Sequence, residues 1–144
     1  FFMLDMVPKA DMPSVLSATT VATSLFVDLP EMWANSANKF FDALAAGRPL
    51  AINYQGWQAE LLRETGAGIG LDVSDPYAAA AQLVQAVRDP TWVEQAGIAA
   101  RRLAEEQFSR EALTRQLEAV LRDAVAGCDG HQDAPLTSSL PEPR

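Results

Sequence analysis

The chain has 144 residues, of which 49% are apolar and 21% are charged, and its formal net charge is −8. A chain of this length can bury one sizeable core. The acidic balance argues against a nucleic-acid surface, because phosphate backbones are bound through clustered Lys and Arg. It does not oppose the binding of one nucleotide. Cys128 is the only cysteine, which leaves no internal disulfide and fits a reducing compartment.

The chain opens on an apolar segment, residues 1–6, which predicts a strand. This segment has neither an initiator methionine nor the basic residues of a signal peptide, so we expect the chain to enter inside a longer protein. Asp11 and Pro13 then predict the start of a short helix. Residues 20–29, rich in Val, Thr and Phe, predict a second strand. Glu31 lies in the loop that follows, where parallel sheets bind their ligands.

Residues 35–53 predict a capped helix, a tight turn and then a buried strand, and the rest of the chain is organised around this segment. Either Asn35 or Ser36 suits the N-cap, because its side chain can accept from the free N–H groups of the first turn. Gly47 stands at the C′ position of the helix, and Pro49 forbids its continuation. The apolar residues 50–52 predict a short strand covered on both faces.

The two sides of this helix differ in character. One broad apolar arc contains Phe40, Phe41 and Leu44. The other side carries short polar groups in place of the long Glu/Lys pairs of a solvated helix, and its members are Asn35, Asn38, Lys39, Asp42 and Ala46. Free N–H groups at a helix start attract anions, and a carboxylate one turn deeper can accept from vicinal hydroxyls. Together they indicate a nucleotide site; the alternative is an ordinary surface helix.

The remaining elements alternate in the same manner. Residues 58–65 predict a helix, and the glycine-rich residues 66–71 predict a turn that runs into a strand. Ser74 is the expected cap of the next helix, with an apolar core stripe at Ala80, Leu83, Val84 and Val87. Asp89 is expected to open a further helix that carries Trp92, Val93, Ile98, Leu103 and Phe108. The last predicted helix begins at Ser109 and has a stripe at Leu113, Leu117, Val120 and Leu121.

Residues 38–49 read Asn-Lys-Phe-Phe-Asp-Ala-Leu-Ala-Ala-Gly-Arg-Pro. This motif resembles the donor-site helix of retaining GT-B glycosyltransferases of the glycosyltransferase 4 type. That family has two Glu separated by seven residues, and Asp42 stands at the second of these positions. Residues 36–42 are also similar to the Ser-x-Asn-Lys-x-Phe-Asp of WbuB-like enzymes of surface-polysaccharide assembly. The resemblance extends from about Phe1 to Leu121.

The alternation of strands and helices predicts an α/β fold: a Rossmann-like parallel sheet with helices on both faces and a helical C-terminus. The resemblance implies that this is the C-terminal half of a GT-B fold, with its first strands before Phe1. Residues 1–126 would then form a partial nucleotide-sugar-binding domain. Residues 127–144, in which Gly, Asp, Ser and Pro replace the periodic pattern, predict a flexible tail.

The activity implied by the resemblance is transfer of a sugar from a nucleoside-diphosphate sugar to a glycan or polyprenyl-linked acceptor in O-antigen-type polysaccharide biosynthesis. Asp42 would accept from the ribose hydroxyls. The helix start would meet the diphosphate through Asn35, Ser36, Ala37, Asn38, Lys39 and Phe40. Ala34 occupies the first acidic position of the family, so Glu31 is the candidate catalytic carboxylate. Positioned donors can stabilise the leaving diphosphate, so neither a metal nor another cofactor is expected.

The resemblance also implies an N-terminal GT-B domain that binds the acceptor, and a cytoplasmic location with peripheral contact to the inner membrane through that domain. A non-catalytic receiver-like interaction module is a second hypothesis, with Asp28 at a strand end as its phosphorylatable candidate. A third is a degenerate glycosyltransferase half in which Ala34 reflects lost activity. His131, the only histidine, lies in the predicted tail and is not expected to bind metal.

Overall fold

The computed structural model describes residues 2–3, 5–27 and 29–129. The chain divides into two compact units, Phe1–Ser109 and Arg110–Arg144. The first unit contains the elements α1 Met12–Ser17, β1 Ala22–Ser24, α2 Asn38–Ala45, β2 Leu50–Ile52, α3 Trp57–Thr65, β3 Gly68–Gly70, α4 Pro76–Arg88 and α5 Pro90–Gln107. Short 3₁₀ segments lie at Lys9–Asp11 and Pro30–Ala34. The predicted α/β class is confirmed, with helices on both faces of a parallel sheet.

The sheet has three strands in the order β1-β2-β3. Ala51 in the middle strand pairs in parallel with Thr23 on one side and with Ile69 on the other. All three residues of β2 are buried, as the run of apolar residues predicts for a strand covered on both faces. The crossover from β1 to β2 is α2, so α2 begins near the edge where the strands end.

One predicted strand is shorter than expected, and another does not form among the described residues. Of residues 20–29, only Ala22–Ser24 are in a strand, because β2 offers three residues for pairing. No strand forms among the described residues of the first segment, and the side chain of Phe2 is 93% exposed. Apolar residues become a strand only beside a partner strand that can share their backbone hydrogen bonds. Phe1, Leu4 and Asp28 lie outside the described residues.

The start of α2 differs from the predicted cap, whereas its end agrees. The N-cap is Ala37, not Asn35 or Ser36, and within the described part of the chain no side chain caps the first turn. The Asn35 side chain is committed elsewhere: Oδ1 accepts from Ala37 N at 3.0 Å, and Nδ2 donates to Met32 O at 2.6 Å. At the other end, Gly47 has φ 64° and donates to Leu44 O, which is the left-handed C′ glycine that the sequence predicts.

The core of the first unit forms where α2, the sheet and α5 meet. Its fully buried members include Phe40, Ala43, Leu44, Leu50, Ile52, Leu62 and Ala100. Phe41 is half-buried, and its ring contacts Trp57 and Phe108. The predicted arc of α2 is therefore confirmed. Gly97 lets α5 approach the turn after α2, because a Cβ at this position would lie 2.8 Å from Gly47 O.

Two details of α4 differ from the sequence-based expectation. Its N-cap is Asp75 and not Ser74: the Asp75 carboxylate accepts from Tyr77 N and Ala78 N. The predicted stripe is not a core, since no residue of α4 is buried and Val84 is 48% exposed. The periodicity of α4 identifies a helix, but α4 contacts mainly α5, and this leaves much of its apolar stripe uncovered.

Of the five large residues that the sequence analysis placed on α5, only Leu103 is buried. Asp89 caps the helix as expected, accepting from Thr91 N and Trp92 N. Ile98, however, is 63% exposed. The buried face consists instead of small residues and one leucine: Ala96, Gly97, Ala100 and Leu103. Small residues bring α5 close to the turn after α2, and large side chains on this face would hold it away.

The second unit contains α6, Arg110–Asp129. This helix includes residues 127–129, which the composition assigned to the tail; residues 130–144, with His131, lie outside the described part of the chain. The predicted stripe is present on one arc of α6, and its members Leu113, Leu117, Val120 and Leu121 are exposed. Across residues 2–3, 5–27 and 29–129, no helix combines the length and the apolar character needed to cross a membrane.

Candidate functional site

Asp42 lies at a cavity of about 480 Å³ on the α1 side of α2. One wall is apolar and comes from α1, and two basic side chains complete the site. The lining residues, which together define the Asp42 cavity, are Lys9, Met12, Pro13, Leu16, Ser17, Asp42, Ala45, Ala46 and Arg101. On the α2 side, Ala45 and Ala46 leave room for a ligand because each carries only a methyl group.

The Asp42 carboxylate has no hydrogen-bond donor or ion-pair partner among the described residues, although two basic residues line the same cavity. Arg101 is already committed, since Nη1 donates to Ala45 O at 2.5 Å and Nε donates to Glu105 at 2.6 Å. The Lys9 ammonium likewise has no acceptor within the described part of the chain. An exposed carboxylate can accept several hydrogen bonds, so Asp42 is free to accept from a ligand.

Lys39 does not line the Asp42 cavity. Its ammonium lies 4.3 Å from the centre of the Phe26 ring and 3.4 Å from Leu25 O, just beyond the end of β1. A cation over an aromatic face is stabilised by the ring quadrupole. The structure therefore places Lys39 at the carboxyl end of the sheet and divides the predicted binding residues between two places.

The predicted anion site at the start of α2 is smaller than expected. Phe40 is fully buried, and its N–H donates to Ala37 O at 3.0 Å, so this residue offers a ligand neither its ring nor its N–H. Ala37 N is also occupied, by the Asn35 side chain. Both assignments are therefore corrected. Among the described residues, the N–H groups of Asn38 and Lys39 have no acceptor, and Ser36 is exposed beside them.

Glu31, the candidate catalytic carboxylate, is exposed on the 3₁₀ segment Pro30–Ala34. It is not among the residues that line the Asp42 cavity. The structure therefore does not bring Glu31 and Asp42 together in one cavity. Ala34, at the first acidic position of the family motif, closes the same 3₁₀ segment and is exposed.

A double hydrogen bond ties together the two loops at the carboxyl edge of the sheet. Asn53 Oδ1 accepts from Phe26 N at 2.9 Å, and Asn53 Nδ2 donates to Phe26 O at 2.8 Å. The Phe26 ring also meets the Tyr54 ring edge-on, with centroids 5.2 Å apart. Because Lys39 rests on Phe26, the loop that supports this cation is fixed to the end of β2.

A buried polar network lies beneath this edge. Tyr54 OH donates to Gln58 Oε1 at 2.5 Å and lies 3.1 Å from Ser24 Oγ. Burial raises the pKa of Tyr54, and the hydrogen bond with Ser24 offsets part of that rise. Gln58 Nε2 is buried and has no hydrogen-bond partner among the described residues. The network fixes the end of β1 to the start of α3.

Tyr54→Phe should lower the free energy of unfolding by about 1–3 kcal/mol, because Gln58 Oε1 and the Ser24 hydroxyl lose a buried partner. Since the folded-state pKa is raised, the Tyr54 contribution is complete below a pH of about 10 and is lost as pH rises through the folded pKa. Urea unfolding near neutral pH and above pH ~10 measures both effects. An equal alkaline loss of stability in the wild type and the variant would contradict the assignment.

Sequence reasoning missed most of the Asp42 cavity. It used Pro13 only to start a short helix and gave no binding role to Lys9, Met12 or Leu16. The available signal was the spacing of Met12 and Leu16, four residues apart on a short helix that begins three residues after Lys9. Which helix would face α2 is a matter of tertiary packing, and no local pattern encodes it.

No group of three or more His, Cys, Asp or Glu side chains in the described part of the chain is arranged to hold a metal ion. The chain matches no model of a known protein family. A comparison with curated proteins also finds no match.

Proposed function

We propose that this chain is the nucleotide-sugar-binding half of a retaining glycosyltransferase. The observation that carries the proposal is the Asp42 carboxylate, which accepts from no donor among the described residues, at a cavity with an apolar wall. A nucleoside requires this combination, because its base is largely apolar on both faces and its ribose presents two adjacent hydroxyls. The resemblance of residues 38–49 to a donor-site helix supports the same assignment.

Within the Asp42 cavity, the base would lie against Met12, Pro13 and Leu16, and the ribose hydroxyls would donate to Asp42. A volume of about 480 Å³ falls inside the range of about 300–1,000 Å³ that is usual for small-molecule sites. Lys9 supplies a cation at the cavity for the phosphate nearest the ribose. The second phosphate would extend toward the N–H groups of Asn38 and Lys39 and the Lys39 ammonium.

In sugar transfer, the cations Lys9 and Lys39 would stabilise the diphosphate leaving group. As the bond between the sugar's anomeric carbon and the diphosphate oxygen breaks, its electron pair stays on the diphosphate. Donors already in position lower the energy of this developing charge without reorganising. Glu31 would hold a hydroxyl of the transferred sugar. A glycan or polyprenyl-linked acceptor would bind a second GT-B domain on the cytoplasmic side of the membrane, so this half alone would bind donor without transferring the sugar.

Isothermal titration of the chain with UDP and with ADP tests the proposal. We expect Asp42→Asn to weaken the tighter of the two nucleotides by at least about tenfold, because the neutral amide cannot accept from both hydroxyls as a carboxylate does. Glu64→Gln is the matched control. It makes the same change of charge at an exposed position on α3 outside the Asp42 cavity, and it should leave the affinity unchanged.

Equal binding by the wild type and Asp42→Asn would refute the ribose assignment. If neither nucleotide binds, even in a protein that also carries the upstream residues, the interaction-module hypothesis is favoured instead. Binding that survives Asp42→Asn but is lost in a Lys39→Gln variant would move the nucleotide to the start of α2.

A further inference from the structure

The outer edge of β3 presents free backbone groups. Ala67 O accepts from Leu50 N at 3.1 Å, and Leu71 N donates to Ile52 O at 2.7 Å, so residues 67 and 71 face β2. Successive peptide groups of a strand alternate in direction, which turns the N–H and C=O groups of Gly68 and Gly70 away from β2. No strand of the described chain lies on that side.

The two outward residues are glycines, so no side chain shields their peptide groups. Gly70 is exposed, and a Cβ placed there would meet no atom within 4 Å. No donor or acceptor in the described residues pairs with the backbone of Gly68 or Gly70 on this side. A bare strand edge of this kind can pair with another extended chain.

A groove of about 1110 Å³ runs beside this edge. Trp33 and Trp92 line it, and Gly68 and Gly70 contribute the backbone edge. Trp33 is fixed by its contact with Gly56, where a Cβ would lie 2.6 Å from Trp33 O. We name this space the β3 groove. Its volume exceeds the range usual for small-molecule sites, which fits a longer occupant.

The charged side chains of the β3 groove are two carboxylates, Glu60 and Asp72, and one cation, Arg63. Asp72 accepts from Ser74 and keeps a lowered pKa through that hydrogen bond, so it stays ionised. The groove therefore has one more negative than positive side chain, and the whole chain is also acidic, with a net charge of −8. This excess of negative charge favours a cationic occupant and opposes a second copy of this acidic chain.

We propose that the β3 groove is a docking site for an extended basic peptide segment, which joins the sheet as a fourth strand on β3. Its backbone would pair with the N–H and C=O groups of Gly68 and Gly70, and its Lys or Arg side chains would meet Glu60 and Asp72. Backbone pairing provides affinity in this mode of recognition, and flanking pockets select side chains. The site is separate from the Asp42 cavity and does not depend on the proposed nucleotide function.

The test uses the whole chain and the peptide acetyl-Lys-Val-Lys-Val-Lys-Val-Lys-amide, with binding followed by tryptophan fluorescence and by isothermal titration. We expect binding that weakens at least about tenfold when every backbone N of the peptide is methylated, since charge and side chains are kept and donors are removed. The same peptide with Glu in place of Lys should bind at least about tenfold more weakly.

Two variants test the protein side. Gly70→Pro removes one outward N–H and should abolish peptide binding, yet it is compatible with an edge strand because that N–H pairs with nothing in the described chain. Gly70→Ala keeps the N–H, adds a methyl in open space and should bind the peptide like the wild type. If Gly70→Pro fails to fold, the methylated peptide still decides the question with wild-type protein.

Equal affinity for the methylated and unmethylated peptides would overturn the proposal, since binding would then be electrostatic only. Undiminished peptide binding by Gly70→Pro would overturn it too. Sedimentation equilibrium tests whether a second copy of this chain occupies the groove instead. A wild-type dimer that Gly70→Pro converts to monomer would identify the second copy as the partner and refute the peptide assignment.

Discussion

Phe40→Ala is expected to lower the free energy of unfolding by about 3–5 kcal/mol, the range typical of deleting a buried aromatic ring. Phe40 is fully buried at the point where α2 meets the sheet. Its ring lies edge-on to Phe41 and Trp57, at centroid distances of 5.4 Å and 5.9 Å. The variant would leave a void that these aromatic neighbours cannot refill without losing their own contacts.

Urea unfolding monitored by tryptophan emission measures this loss, and Trp57 beside the void reports on the site directly. Phe2→Ala is the matched control, because it removes the same ring from a side chain that is 93% exposed, and it should change stability by less than about 0.5 kcal/mol. Phe40→Leu should fall between the two. Similar losses for Phe40→Ala and Phe2→Ala would show that the α2 arc is not the core.

Gly68→Ala is the second large effect, with an expected loss of about 3 kcal/mol. A Cβ at this position would lie 2.1 Å from Leu50 O, in the neighbouring strand. Neither atom can move aside alone, since both belong to the paired backbones of β2 and β3. Relief of the clash therefore requires the two strands to separate locally, which breaks hydrogen bonds of the ladder.

The matched control for this effect is in the same strand. Gly70→Ala makes the same chemical change two residues away, where a Cβ meets no atom within 4 Å, and it should alter the unfolding free energy by less than about 0.5 kcal/mol. Hydrogen exchange at Leu50 and Leu71 would locate the damage in Gly68→Ala. Equal destabilisation by the two variants would attribute the effect to glycine flexibility and not to the close approach of β3 to β2.

The parts of the fold that were predictable are those encoded by neighbouring residues. Gly47 and Pro49 fix the end of α2 because backbone conformation at these positions is a local property. The burial of Leu50–Ile52 follows from an apolar run too short for a helix. The class of fold follows from the alternation of such elements.

The parts that failed depend on distant partners. Residues 1–6 have the composition of a strand, yet the described residues of this segment pair with no strand of the described chain. The α4 stripe has helical spacing, but spacing alone does not specify what covers it. Asn35 has the side chain of a cap, but it bonds Met32 O instead, because the 3₁₀ segment before it brings that carbonyl within reach.

The candidate site was predictable only in part for the same reason. Lys39 and Asp42 occupy adjacent turns of one helix, so the sequence suggested a single site. Residues three positions apart are offset by only about 60° around the helix axis, so rotation alone does not separate them; the long Lys39 side chain reaches the loop after β1, whereas the short Asp42 side chain does not. Lys39 therefore meets Phe26, and Asp42 meets α1.

The Asn53 amide lowers the entropic cost of binding for any ligand that reaches Lys39. Because both of its hydrogen bonds are made to the backbone of Phe26, the loop beneath the ammonium is already held to the end of β2 before a ligand arrives. The conformational entropy of that loop is lost when the protein folds and not when it binds. An incoming anion then competes, among the described residues, with the Phe26 ring and the Leu25 carbonyl oxygen for the Lys39 charge, and the loop beneath need not rearrange.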